Sequence, residues 1–338
     1  MKITKILVAL SFLFAVSTAN AGELSVTGSI QATYQSESDR TTGNPLGMDR
    51  ELKFSASTEL DNGMTVSVMQ DTGDDLDFGN SLITFGNVGG LVDINIGSDG
   101  SPMDAIDDIT PSAFEEANGA GSGAYNDIGD AASDTGIGAK FSLPILGAVN
   151  YKYVPKMDGN KNNEKESSAD TNAGVGSMYE VSVKTSLGDL PVVGSFLDGA
   201  TLTLGYEEDE VSTIAATEDA VDATAALNYS TGNFALGIQR KVSSKGETTA
   251  NGNELFYKDL VMGISYAVND NLSISWNRYE SEKHDISAVD KVQETDAINI
   301  GYTIGGMTIG FQEAKTDNDN YTNNQSDDTR TLGISVSF

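Results

Sequence analysis

The sequence predicts an all-β fold, a closed sheet of sixteen antiparallel strands that crosses a membrane. Three observations predict it: apolar and polar residues alternate with a period of two along most of the chain, the connections alternate between short turns and long polar loops, and aromatic residues collect at both ends of the apolar face.

The chain opens with Lys2 and Lys5, an apolar run from Ile6 to Val16 and the small-residue pattern Ala19-Asn20-Ala21. This is the pattern of a secretory signal peptide, so residues 1–21 are expected to be removed and residues 22–338 to form one barrel. The apolar run is too short to span a bilayer as a helix, and no later stretch supplies the roughly 18 uncharged apolar residues that a spanning helix needs.

After that point Leu24, Val26, Gly28, Ile30, Ala32 and Tyr34 alternate with Ser25, Thr27, Ser29, Gln31 and Thr33, which predicts a strand with one apolar and one polar face. The pattern returns at 52–60 and, past the tight-turn signal Asp61-Asn62-Gly63, at 64–68. Further strands are predicted at 81–87, 91–97, 136–143, 148–155, 178–186, 200–206, 221–229, 234–241, 256–267, 272–279, 295–304, 307–314 and 330–338. Asn299 is expected on the wet polar face and Ile300 on the lipid side. Short turns follow the even-numbered strands and long polar stretches the odd-numbered ones; only the connection 187–199 is longer than this rule allows.

Tyr229, Tyr266, Tyr302 and Phe338 fall near the short turns, and Tyr34, Tyr153, Tyr179, Tyr206 and Trp276 near the long loops. All are on the apolar face, which is the placement of two interfacial belts. Hydrocarbon offers no partner to an open strand edge, so a sheet in it must close. Sixteen strands then leave an aqueous channel.

Composition narrows the function further. There are 50 acidic against 20 basic residues, a formal net charge of −30, which makes nucleic acid a poor partner. Cysteine is absent, so sulfur bridges cannot hold the chain. The single histidine, His284, lies in a polar loop with no nucleophile elbow beside it, and neither paired His nor Cys is present for zinc, so no enzyme is expected. No cofactor is expected either. Loosely bound Ca2+ is the one metal with candidate ligands, Asp317, Asp319, Asp327 and Asp328, in a loop that follows an EF-hand only at its start. Divalent ions bridging acidic loops to lipopolysaccharide phosphates need no such motif.

The segment 98–135, after the fifth predicted strand, holds nine acidic residues and no basic one: Asp99, Asp104, Asp107, Asp108, Glu115, Glu116, Asp127, Asp130 and Asp134. Long loops are commonly functional, and a solvated surface loop is the plain alternative. Met103, Ile106, Ile109 and Phe114 within it are candidates for anchoring it to a wall.

With a strand beginning just after the signal, one long loop after the fifth strand and a last strand ending in Phe338, the whole mature chain resembles the sixteen-stranded general porins of Gram-negative bacteria, of the alphaproteobacterial type. The resemblance implies an outer-membrane homotrimer through which small polar solutes and ions diffuse passively. It implies that Phe338 is part of the signal read by the outer-membrane assembly machinery, and that segment 98–135 folds inward to narrow the pore. It also implies a basic cluster on the opposite wall. The candidates here are Arg50, Lys53, Lys140, Lys152 and Lys184, a set that departs from the family in being mostly lysine and scattered in sequence. The acidic loop predicts a preference for cations. A substrate-selective channel, or a closed-lumen structural or adhesive barrel, would share the same architecture.

Overall fold

The computed structural model describes residues 24–38, 43–73, 78–117, 128–129, 135–155, 175–191, 196–211, 219–245, 255–285 and 290–338. The signal segment 1–21 and the loop acids Asp127, Asp130 and Asp134 lie outside them.

Sixteen strands form one closed antiparallel barrel, each paired with its sequence neighbours and the last with the first. In chain order they are β1 (Leu24–Glu37), β2 (Leu46–Glu59), β3 (Thr65–Thr72), β4 (Phe78–Val88), β5 (Val92–Gly97), β6 (Gly136–Leu143), β7 (Gly147–Val154), β8 (Val175–Ser186), β9 (Ala200–Val211), β10 (Ala220–Thr231), β11 (Phe234–Ser244), β12 (Leu255–Ala267), β13 (Leu272–Asp285), β14 (Lys291–Ile304), β15 (Met307–Asp317) and β16 (Ser326–Ser337). All sixteen predicted strands are present. Several run further towards the long loops than their apolar alternation does, β13 reaching Asp285 and β14 starting at Lys291. The long connection 187–199 is explained in part by a 3-10 turn, Leu187–Asp189.

The ring closes through β1 and β16, in register from Ser29↔Ser337 to Glu37↔Thr329. Phe338 extends this ladder: its N–H donates to the Gly28 carbonyl and its carbonyl accepts from the Gly28 N–H, both at 3.0 Å. A Cβ on Gly28 would come within 3.0 Å of the tip of the Phe338 ring, so the terminal aromatic packs against the first strand.

The burial pattern is the reverse of a water-soluble protein's. On β14 the apolar Ile298, Ile300 and Tyr302 are exposed, at 59%, 41% and 42%, while Thr295 and Asn299 on the other face are fully buried. The same inversion runs round the ring, with Leu236, Ile264, Ile334 and Val336 exposed and Gln239, Gln312 and Thr316 enclosed. Apolar side chains facing outwards in a continuous band are what hydrocarbon surroundings require, since in water such a patch would invite association. The aromatic belts follow, with Phe234 and Tyr266 in contact at 4.6 Å between ring centroids near the short turns and Tyr179 and Tyr206 at 6.1 Å near the loops.

Candidate functional site

The site is the enclosed polar face together with the segment that follows β5. Beyond Gly97 the chain makes a short 3-10 turn at Asp104–Ile106. Met103 and Ile106 bury themselves with Ile128, and Ile109 packs against the three. Of the four anchor candidates, Met103, Ile106 and Ile109 pack on one another, Met103 and Ile106 also lie beside Gly205 of β9, and Phe114 lies over Gly310 of β15 and Gly333 of β16.

From there the segment follows the ladder strand by strand, held by polar side chains of the enclosed face. Ser101 Oγ donates to the Glu180 carboxylate on β8 at 2.8 and 2.9 Å. Gln239 on β11 uses both ends of its carboxamide: Nε2 donates to the Ile106 and Asp107 carbonyls at 2.8 and 2.7 Å, and Oε1 accepts from the Ile109 N–H at 3.2 Å. Asn228 on β10 donates to the Ile109 carbonyl at 3.0 Å, Asn277 on β13 to that of Pro111 at 2.9 Å, and Gln312 on β15 to that of Glu116 at 2.8 Å. Gln31 on β1 donates to the Glu115 carboxylate at 2.8 Å. A loop must satisfy its backbone groups when it leaves water, and a row of carboxamides does this without adding charge.

The acidic residues of the segment divide into two sets. Asp107 and Asp108 turn to the wall, where Lys241 of β11 meets them at 2.9 and 3.4 Å. The Lys241 side chain is fully buried, its ammonium lies 5.0 Å from the centroid of the Tyr279 ring, and it is in register with Asp259 of β12. Asp104 is exposed, and Asp99, Glu115 and Glu116 are half-buried. Burial first, and then the neighbouring Asp108 carboxylate, raise the Glu116 pKa above its ordinary value.

The predicted basic wall is brought together only in part. Lys53, Lys140, Lys152 and Lys184 are on the polar face as expected, shown by their partners Asp71, Asn150, Glu180 and Thr203. Lys152 is buried beside Glu180, whereas Lys53, 4.0 Å from Glu51, keeps a partly exposed side chain. Arg50 is a correction. It stands opposite Ile30, between Met48 and Leu52, and therefore on the outer apolar face. Its charge suggested the lumen, but the parity of the strand decides the face. Lys241 was missed although Leu236 and Ile238 fix its parity, because it sits at the end of the predicted strand and its partners lie more than 130 residues away.

The four Ca2+ candidates do not converge. Asp317 and Asp328 share the outer face with Lys315, 3.3 Å from Asp317, while Asp319 and Asp327 are buried. Among the described residues no three His, Cys, Asp or Glu side chains gather as metal ligands would. His284 is paired with Asp290 at 2.5 Å at the loop end of β13.

A family model described as Gram-negative porin matches residues 7–338. Among solved structures, outer-membrane expressed OmpT of Vibrio cholerae superposes with a TM-score of 0.69 at 11% identity, over 96% of this chain and 100% of that one. An anion-selective porin from Comamonas acidovorans gives 0.68 at 13%, over 94% and 100%. A mutant of Rh. blastica porin gives 0.60 at 17%, over 94% and 100%. At these identities the structures establish the shared fold. No curated protein matches the chain.

Proposed function

Since the chain belongs to the Gram-negative porin family and so lies in the bacterial outer membrane, we propose that it passes small hydrophilic solutes and ions by passive diffusion, with segment 98–135 as the constriction. The observation that carries this reading is the path of the segment, which is hydrogen-bonded to polar-face side chains on β8, β10, β11, β13, β15 and β1 in turn. Lys53 of β2 and Lys140 of β6 lie on the polar face of the strands between β1 and β8. Large, solute-independent conductance steps in a planar bilayer would support it. Steps blocked by one sugar class would instead favour a substrate-selective channel, and silence would favour a closed barrel.

We further propose a preference for cations. The described part of the segment carries six acidic groups, of which Lys241 engages two. The other four are Asp99 near its start and, further along it, the three carboxylates Asp104, Glu115 and Glu116, and inside a channel the position of such charges outweighs net charge. Neutralising those three to Asn, Gln and Gln should reduce the K+/Cl− permeability ratio by roughly twofold, read as a reversal potential under a KCl gradient. Because the Glu116 pKa is raised, this carboxylate accepts its proton at a higher pH than an ordinary one, so cation preference should begin to fall early on acidification. Anion preference in the wild type, or an unchanged ratio in the triple variant, would remove the segment as selectivity filter.

The assembly is proposed to be a homotrimer. A concavity on the outer face of β1 to β5, lined by Leu24, Phe54, Val68, Ile83 and Ile96, also contains Gln70 and Ser81, polar groups that a protein neighbour covers at lower cost than lipid. One of the structural neighbours, OmpT, is described in a trimer form. Ile300→Arg, in the lipid-facing band, should cost about 2–4 kcal/mol in folding, while Ser57→Arg on the polar face should leave folding intact and alter conductance. Equal loss from both in a urea titration would mean that the two faces are assigned wrongly.

A further inference from the structure

Six glycines on the polar face, Gly205, Gly237, Gly263, Gly301, Gly310 and Gly333, lie directly beneath the segment. A Cβ on Gly205 would meet Met103 and Ile106 at 2.5 Å, and on Gly237 the Pro111 ring at 2.4 Å. On Gly263 it would meet the Pro111 carbonyl at 2.5 Å, and on Gly301 that of Ala113 at 2.2 Å. Phe114 covers the last two, at 2.0 Å from a Cβ on Gly310 and 2.6 Å from one on Gly333. Each stands three to five residues from the short-turn end of its strand, so the six mark one level of the barrel.

Their backbones do not require glycine. None of the six is among the positive-φ glycines of the chain, which sit mainly in turns and loops. A glycine inside a strand costs about 0.5–1 kcal/mol relative to alanine and is expected where another backbone approaches closely. Here the approaching backbone is the segment. The carboxamides that hold it alternate with the glycines, Gln239 two residues after Gly237 and Gln312 two after Gly310. The glycine supplies depth and the carboxamide supplies register.

We propose that these six glycines form a track that sets how far the segment stands from the wall, and thereby the free cross-section of the channel and the largest solute it admits. The proposal rests on the reading of the segment as the constriction. A methyl group in the track would push the segment towards the axis, because the sheet behind it is fixed by two ladders per strand and the segment is not.

The test uses the full chain in planar bilayers, with conductance in KCl and exclusion of neutral polymers of graded size as readouts. Gly263→Ala and Gly301→Ala should each lower conductance by about a fifth and lower the polymer size cut-off, since pore diameter governs both. In a parent whose residues 101–117 are replaced by a short flexible linker, the same substitutions should change neither. Gly310→Ala should behave alike, and Phe114→Ala added to it should restore the wild-type conductance. Unchanged conductance in folded Gly263→Ala and Gly301→Ala, or an equal fall in the linker background, would overturn the track. If the linker parent itself conducts no better than the wild type, it is the constriction reading that fails. Circular dichroism on each variant identifies any that does not fold, and the Phe114→Ala pair then decides by rescue.

Discussion

Removal of residues 326–338 is expected to abolish the barrel, with at least a tenfold loss of membrane-inserted, protease-resistant protein. β16 is the only strand that joins β15 back to β1, through registers from Met307↔Val336 to Asp317↔Ser326 on one side and from Ser29↔Ser337 to Glu37↔Thr329 on the other. Without it both neighbours present open edges to hydrocarbon, where each unpaired backbone group costs several kcal/mol. Fifteen strands cannot simply reclose. β1 and β15 both run antiparallel to β16 and hence parallel to each other, so joining them demands a different hydrogen-bond pattern and a different shear. Recovery of an inserted, protease-resistant β-protein after the deletion would defeat the barrel itself. Phe338→Ala is the contrasting variant. Its two bonds to Gly28 are made by backbone atoms and survive the substitution, so conductance should be kept while assembly slows.

The ladder was readable in the sequence because each strand faces two solvents. Wherever one face meets hydrocarbon and the other is polar, alternation marks the strand, as in Leu332, Ile334 and Val336 of β16. Above the apolar band both faces are polar and the mark disappears while the ladder continues, which is why β9, β13 and β14 are longer than predicted. Arg278 shows the boundary: it shares the outer face with Trp276 but is ion-paired to Glu280, Glu294 and Asp296. The site was less legible. Its acidic segment was visible as composition, but its seat depends on contacts such as Gln312 with Glu116, separated by 196 residues. For the same reason Asn299, on the predicted wet face, turns out to be fully buried and bonded to Asn277. Local period assigns a face; only the fold reveals what lies upon it.

Lys241→Met is expected to unseat the segment while leaving the barrel intact. The lysine is the cation on which Asp107 and Asp108 converge, and it is in register with the fully buried Asp259. Methionine fills a similar volume but removes the cation from beside these carboxylates. Breaking a buried pair from one side costs about 3–5 kcal/mol, enough to shift the seating equilibrium of the segment by a hundredfold or more. The barrel does not depend on this contact, since β11 keeps its full ladders to β10 and β12. The expected readouts are noisy, flickering conductance at neutral pH and faster proteolysis within 101–117, with thermal unfolding of the sheet little changed. One rescue follows from the charge argument. Adding Asp107→Asn and Asp108→Asn removes the repelling charges and should restore quiet conductance. Quiet, wild-type conductance of Lys241→Met at neutral pH would show that the segment is held by its carboxamide contacts and the glycine floor alone.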